Sequence, residues 1–306
     1  MGNKIDPFSD YGFKVVFGKE ENKRLLISFL NSLLEGEYII IDVDYLDKEQ
    51  NGVSNEQRSM IYDVYCKTSD GKHVICEMQN TPQDFYGKRS LCYASSAILR
   101  QSRKGDDWQY DIKTVLCISV LNFESRELSN AGRYRKDVVL KDRETNEVFS
   151  KDLHLIYLTM PHFKKELKEC SNNLELWLYS LKHMKTMEVL PDKMKDSVFE
   201  DLWKVLDIYS LPEDEQVRYE REHKIEADRR NIKASYERRI KEAEDIAKAE
   251  QEMVKAEQEK VKAEQEKVKA EQEKVKEMAR TMKSAGMPMD VIAQASGLGV
   301  EEIAAL

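Results

Sequence analysis

Four nearly identical seven-residue units run from Lys248 to Val275, KAEQEMV once and KAEQEKV three times. A period of seven suits an α-helix, whose phase drifts by only ~20° per unit, and Ala, Glu, Gln and Lys are good helix formers. Neither a half-buried strand nor a globular core can be made from such a run. Residues 213–284 contain no glycine and no proline, so one long charged helix is predicted there. Placing Val at one core position of the heptad leaves Glu or Gln at the other, half of the usual apolar seam. The pairs Glu257 with Lys260 and Glu259 with Lys262 also stand three residues apart, where they support a solvated helix. A weak coiled coil between copies of the chain and a lone helix both fit. Loss of one whole unit keeps the phase, so deleting it is expected to leave the oligomeric state unchanged. A solvated helix cannot exclude water or shift a pKa, so the chemistry is expected elsewhere.

The repeat is broken by Gly286 and Pro288, after which Ile292, Ala295, Gly297 and Ile303 suggest two short helices joined by a tight turn. This ending is helix-turn-helix-like, yet it carries no Lys or Arg after Lys283, so capping or association is favoured over reading a DNA groove. Nearly all aromatic and β-branched residues lie before about residue 212. The organisation read from the chain is a body over 1–165, a helical annex over 166–212, the charged helix over 213–284 and a C-terminal cap over 285–306.

The net charge of -8 argues against a nucleic-acid partner without deciding, because a chain sum hides local basic faces. The five cysteines are odd in number and form no Cys-x-x-Cys, so neither a disulfide framework nor a zinc site is signalled. Four of them sit in apolar patterns and read as reduced core residues. No run approaches the roughly 20 apolar residues of a membrane span. The first residues hold acids and Pro7 with no apolar stretch, and Asp6 stands where myristoylation wants Ser or Thr. A cytoplasmic protein is expected.

Within the body, Leu25, Leu26, Phe29, Leu30, Leu33 and Leu34 recur at helical spacing, and residues 38–43 read as a strand. Residues 61–66 and 73–79 read as a hairpin around the Asp-Gly turn at Asp70-Gly71. A buried apolar run at 114–121 and a further strand at 153–159 follow a helix predicted over 86–103. Amphipathic helices over 174–187 and 198–209 place Trp177 and Trp203 as core anchors. Nothing at suitable spacing orients His162. The order is α/β, with helices on both faces of the sheet.

Side chains alternate along a strand, so Glu77 and Gln79 share a face, and Asp63 on the partner strand reaches it. Two carboxylates among Ile, Val, Tyr and Cys are costly to bury alone. Either they face solvent beside Lys67, Lys72 or Arg89, or a divalent cation holds them. The residues by themselves leave both readings open.

A strand Asp, a hairpin, Glu77-Met78-Gln79 and a following helix resemble the PD-(D/E)XK nuclease superfamily. With Asp6-Pro7-Phe8-Ser9-Asp10-Tyr11-Gly12-Phe13-Lys14, the Leu-rich Leu30-Asn31-Ser32-Leu33-Leu34, and Arg89 with Tyr93, the chain resembles the recombination-promoting nuclease and transposase family, most closely over about residues 3–125. The resemblance implies a restriction-endonuclease-like core, a mixed sheet flanked by helices, and an endodeoxyribonuclease hydrolysing phosphodiester bonds in recombination or transposition. It implies Asp63 and Glu77 as ligands of Mg²⁺, or of Mn²⁺ in its place, with the Met78 carbonyl as a further ligand. Gln79 takes the place of the superfamily's usual lysine and orients water without bringing charge. Arg89 would supply that charge, Tyr93 would lie one turn beyond it, and Asp10 would stand for the extra acid near the first helix. DNA is the implied substrate, and the helical tail would set a homo-oligomer. The rival reading is a non-catalytic scaffold, a degenerate nuclease body whose tail binds partners.

Overall fold

A computed structural model describes residues 4–50, 60–102, 109–125, 127–128, 132–195 and 197–306. The chain forms two compact units, Met1–Ile225 and Glu226–Leu306.

The first unit opens on α1 (Asp10–Phe17), capped by Ser9, whose hydroxyl accepts the Gly12 N–H at 2.9 Å and donates to the Asp6 carbonyl at 2.7 Å. Gly12 has no room for a side chain, since a Cβ would stand 2.0 Å from the Asp6 carbonyl oxygen. Next, α2 (Lys23–Leu33) buries Leu25, Leu26, Phe29, Leu30 and Leu33 on one face, as their spacing predicts. The strand expected over 38–43 does not form. The Asn31 side chain instead accepts the Ile40 N–H at 2.7 Å and donates to the Ile40 carbonyl at 2.8 Å. Ile40 is thereby buried, while Ile39 and Ile41 stand 83% and 78% exposed. The edge strand begins only at β1 (Val43–Tyr45). A separate two-stranded ladder pairs β2 (Glu49–Gln50) with β3 (Met60–Ile61).

The main sheet adds β4 (Val64–Thr68), β5 (His73–Gln79), β6 (Val115–Leu121), β7 (Arg135–Lys141) and β8 (Val148–Thr159), in the order β1-β4-β5-β6-β8-β7. The pairs β5–β6 and β6–β8 are parallel and the others antiparallel. All seven residues of β6 are buried, as befits a central parallel strand. Charged β7 was not foreseen, because Arg135, Lys136 and Asp137 are typical of a protected edge rather than of an apolar alternation.

Alternation along β5 sends Val74, Cys76 and Met78 into one core and Ile75 into another. The second core lies under α3 (Tyr86–Leu99), which connects β5 to β6 and ends before the predicted residue 103, itself outside the described residues. The first is shared with α1, α2, α4 (Asn173–His183) and α5 (Val198–Val205). Both α4 and α5 stop short of their predicted ends, where the chain tightens into single 3₁₀ turns at Met184–Thr186 and Ile208–Ser210. Trp177 is fully buried, with its ring centroid 5.8 Å from those of Phe17 and Phe29 and 5.3 Å from that of Phe199. Trp203 is no core anchor. It is only partly buried, and the Lys4 ammonium sits 4.0 Å from its ring centroid. Cys66, Cys76, Cys117 and Cys170 are buried thiols and Cys92 is exposed. The long helix α6 (Glu213–Ser284) starts in this unit, where Tyr219 accepts the Asp6 N–H at 3.2 Å and Glu215 accepts the Tyr11 hydroxyl at 2.8 Å.

In the second unit α6 runs unbroken through the repeats to Ser284. Then α7 (Met289–Ser296) and α8 (Val300–Ala305) fold back, burying Ile292 and Ile303 against Ala279. Gly297, at φ 71°, makes the tight turn that the sequence suggested. No helix among the described residues is long and apolar enough to cross a membrane.

Candidate active site

Glu77 lies in the middle of the sheet and is only 2% exposed. The register Val64↔Cys76 brings Asp63, the residue just before β4, beside it. Asp63 is therefore not in the ladder, as a strand over 61–66 required; its freed N–H donates to Glu77 Oε1 at 3.0 Å. In return the Met78 N–H donates to Asp63 Oδ2 at 2.9 Å. Each carboxylate is thus fixed by the other's stretch of backbone. The solvent-facing arrangement left open by the sequence does not occur for Glu77, and Lys72 pairs with Asp70 instead.

Burial first, and then the neighbouring Asp63 charge, push the Glu77 carboxyl up to about 8. Burial likewise raises Asp63, against the Met78 N–H bond that lowers it. Glu77 Oε2 is buried with no hydrogen-bond partner among the described residues. The nearest Arg89 nitrogen is 3.6 Å away, an ion pair rather than a hydrogen bond. A buried, unbonded carboxylate oxygen is a cost that native folds rarely carry without a use.

On the α3 side a chain of contacts frames the pair. Gln83 Nε2 donates to Gln79 Oε1 at 2.6 Å, Arg89 donates to Gln83 Oε1 at 2.8 Å, and its other terminal nitrogen donates to the Tyr93 hydroxyl at 2.9 Å. Tyr62 packs edge-on to Tyr93, with centroids 5.1 Å apart. The structure thus brings together Asp63, Glu77, Gln79, Arg89 and Tyr93. Met78 contributes only backbone, since its side chain belongs to the opposite core. Asp10 stands at the exposed start of α1 in an ion pair with Lys14 at 2.8 Å. It touches neither carboxylate, yet both members of that pair are felt at Asp63, Lys14 lowering and Asp10 raising its carboxyl.

Sequence reasoning missed Gln83 and Lys14. Gln83 sits in an aperiodic polar loop with no signal to single it out. Lys14, four residues after Asp10, has the look of a solvated helix pair.

The donor set is made of hard oxygen ligands only. Among the described residues no third His, Cys, Asp or Glu completes a cluster. Two carboxylates, with water filling the remaining positions, suit Mg²⁺, which keeps much of its hydration. The orphaned Glu77 Oε2 fits the same ion.

The family model of the PD-(D/E)XK nuclease family transposase matches residues 7–236, a span containing every residue of this site. No curated protein and no solved structure matches the chain.

Proposed function

This chain belongs to the PD-(D/E)XK nuclease family transposases, and on that premise we propose that it is a Mg²⁺-dependent DNA endonuclease. It hydrolyses phosphodiester bonds in recombination or transposition, and it acts in the cytoplasm. The observation that carries this reading is the buried, unbonded Glu77 Oε2 clamped beside Asp63. Asp63, Glu77 and the Met78 carbonyl would hold the ion, with Mn²⁺ as an acceptable substitute. When bound, the ion lowers the pKa of a water and neutralises phosphate charge.

The protein's own groups do the rest. The N–H groups of Asp63 and Met78 keep the two carboxylates in place. Gln79 has its carbonyl oxygen engaged by Gln83, which leaves its NH₂ group to orient a water or a phosphate oxygen. Having no charge, Gln79 cannot balance the developing phosphorane; Arg89, held by Gln83 and Tyr93, supplies the cation. Asp10 tunes Asp63 from a distance.

The test is cleavage of a labelled DNA duplex in Mg²⁺. Asp63→Ala is expected to reduce cutting to background, and Arg89→Ala to slow it by roughly 10²–10³-fold, the usual cost of one charge-stabilising donor. Arg89→Lys should recover part of that loss. Full activity in Asp63→Ala would overturn the assignment and favour the scaffold reading.

We also propose that α6 joins copies of this chain in a parallel coiled coil. Val254, Val261 and Val268 are all exposed on the helix. If Val takes the d position, Gln258, Gln265 and Gln272 take a, a polar core that sets register at a cost in stability. The flanking positions are then Glu257, Glu264 and Glu271 at g and Lys262, Lys269 and Lys276 at e. A parallel pair opposes each g Glu to the next e Lys of its neighbour, whereas an antiparallel pair opposes Glu to Glu and Lys to Lys. Reversing the three lysines to glutamate should therefore abolish association in sedimentation. Further exchange of Glu257, Glu264 and Glu271 for lysine should restore it. An antiparallel assembly would be indifferent to the first change.

A further inference from the structure

The first residue before α3 is held in an unusual state. Phe85 has φ 62° and ψ 26°, the left-handed region that bulky residues avoid, and the residue is 66% exposed. No burial of the ring compensates for that backbone, and strain of this kind collects at functional sites. The turn is pinned from beneath, where the Gly87 N–H donates to Glu127 Oε2 at 3.1 Å. A Cβ on Gly87 would come within 2.9 Å of that carboxylate. The Lys88 ammonium lies 5.1 Å from the Phe85 ring centroid.

Phe85 forms the edge of a cleft of about 580 Å³ whose lining includes Gln83, Lys88 and Phe123. Gln83 is the residue that bridges Gln79 to Arg89, so this cleft adjoins the carboxylate pair. Arg89, one turn along α3, donates its N–H to the Phe85 carbonyl at 3.0 Å. Three acids line the cleft: Glu127 accepts the Gly87 N–H, Glu124 faces His162 Nε2 at 3.2 Å, and Asp84 immediately precedes Phe85 in the chain. Phe85 and Lys88, the one basic side chain in the lining among the described residues, are displayed together at this cleft.

We propose that Phe85 and Lys88 form a nucleotide subsite in which the Phe85 ring stacks on an unpaired base and Lys88 holds the adjoining phosphate. The preferred substrate is then DNA with an unpaired nucleotide next to the scissile bond, such as a flap, a bulge or a frayed end. Aromatic stacking accepts any base, which makes the preference one for structure and not for sequence. The inference rests on the nuclease reading and narrows its substrate class.

The experiment measures binding apart from cutting, using full-length protein carrying Glu77→Gln. The probes are two DNA duplexes containing 2-aminopurine, one with that base fully paired and one with it as a single-nucleotide bulge. The bulged base should lose fluorescence on binding when Phe85 is present and keep it with Phe85→Ala. That substitution should weaken binding of the bulged duplex about tenfold and of the paired duplex less than twofold. Phe85→Trp guards against misfolding and should retain both the quench and the affinity. Equal losses on the two duplexes, or a quench that survives Phe85→Ala, would overturn the subsite. Binding of this selective kind by a protein that never cuts in its unsubstituted form would instead remove the nuclease reading and leave the subsite standing.

Discussion

Glu77→Gln is expected to make the metal-free protein more stable at pH 8 while abolishing cleavage. In the folded chain the Glu77 carboxyl holds its proton up to about 8, against an ordinary value of 4.5. Between those two values the folded state binds more protons than the unfolded one, so stability falls as pH rises through that window. A shift of this size corresponds to a penalty on the order of a few kcal/mol at pH 8, shared with the adjacent Asp63. The amide carries no charge and escapes it, at a cost of about 1–3 kcal/mol if its NH₂ group finds no acceptor beside Arg89. Thermal melts should therefore show the variant above the parent at pH 8 and level with it or below it at pH 5. If the pair holds Mg²⁺ as proposed, the ion should raise the parent alone, since a ligand at a hundred times its dissociation constant adds ~2.7 kcal/mol to the state that binds it. A variant less stable than the parent at both pH values would mean that Glu77 is a structural acid with satisfied bonds.

Trp177→Ala is expected to cost about 3–5 kcal/mol, a large part of the roughly 5–15 kcal/mol that holds a native domain together. Trp177 stands at the junction of α1, α2, α4 and α5, touching Phe17, Phe29 and Phe199. Those contacts tie residues 166–212 to the same core that backs Cys76 and Met78 on the far face of β5. The consequence for dissection of the chain is direct. A fragment ending at 165 would expose that core and should not fold, whereas one ending at 225, where the first compact unit ends, should. Urea unfolding followed by circular dichroism measures both. A stable, cooperative fragment 1–165 would show that the annex is a separate domain.

Much of this architecture was legible where local pattern and tertiary role agree. The hairpin around Asp70-Gly71, the continuous apolar run of β6 and the glycine-free helix from Glu213 each carry one dominant signal. Misreadings arose where a side chain took over the backbone's usual partner. Residues 38–43 have strand composition, but the Asn31 amide satisfies Ile40 and ends the need for a ladder. The short helices α4 and α5 tighten into 3₁₀ turns that hydrophobic periodicity cannot see. At the site, Asp63 and Glu77 could be paired from strand alternation alone. The exchange of N–H bonds between them depends on Asp63 lying just outside the ladder. Gln83 and Lys14 come from a loop and a helix whose approach to the sheet is a tertiary fact.

The central question for this protein is whether metal held by the Asp63–Glu77 pair cuts DNA. Supercoiled plasmid incubated with the purified protein, in Mg²⁺ or in EDTA, beside the Glu77→Gln variant, decides it. Nicking or linearisation that needs Mg²⁺ and vanishes in the variant is the result expected. Folded protein that leaves the plasmid intact in Mg²⁺ and in Mn²⁺, or cutting that persists in Glu77→Gln or in EDTA, would contradict it.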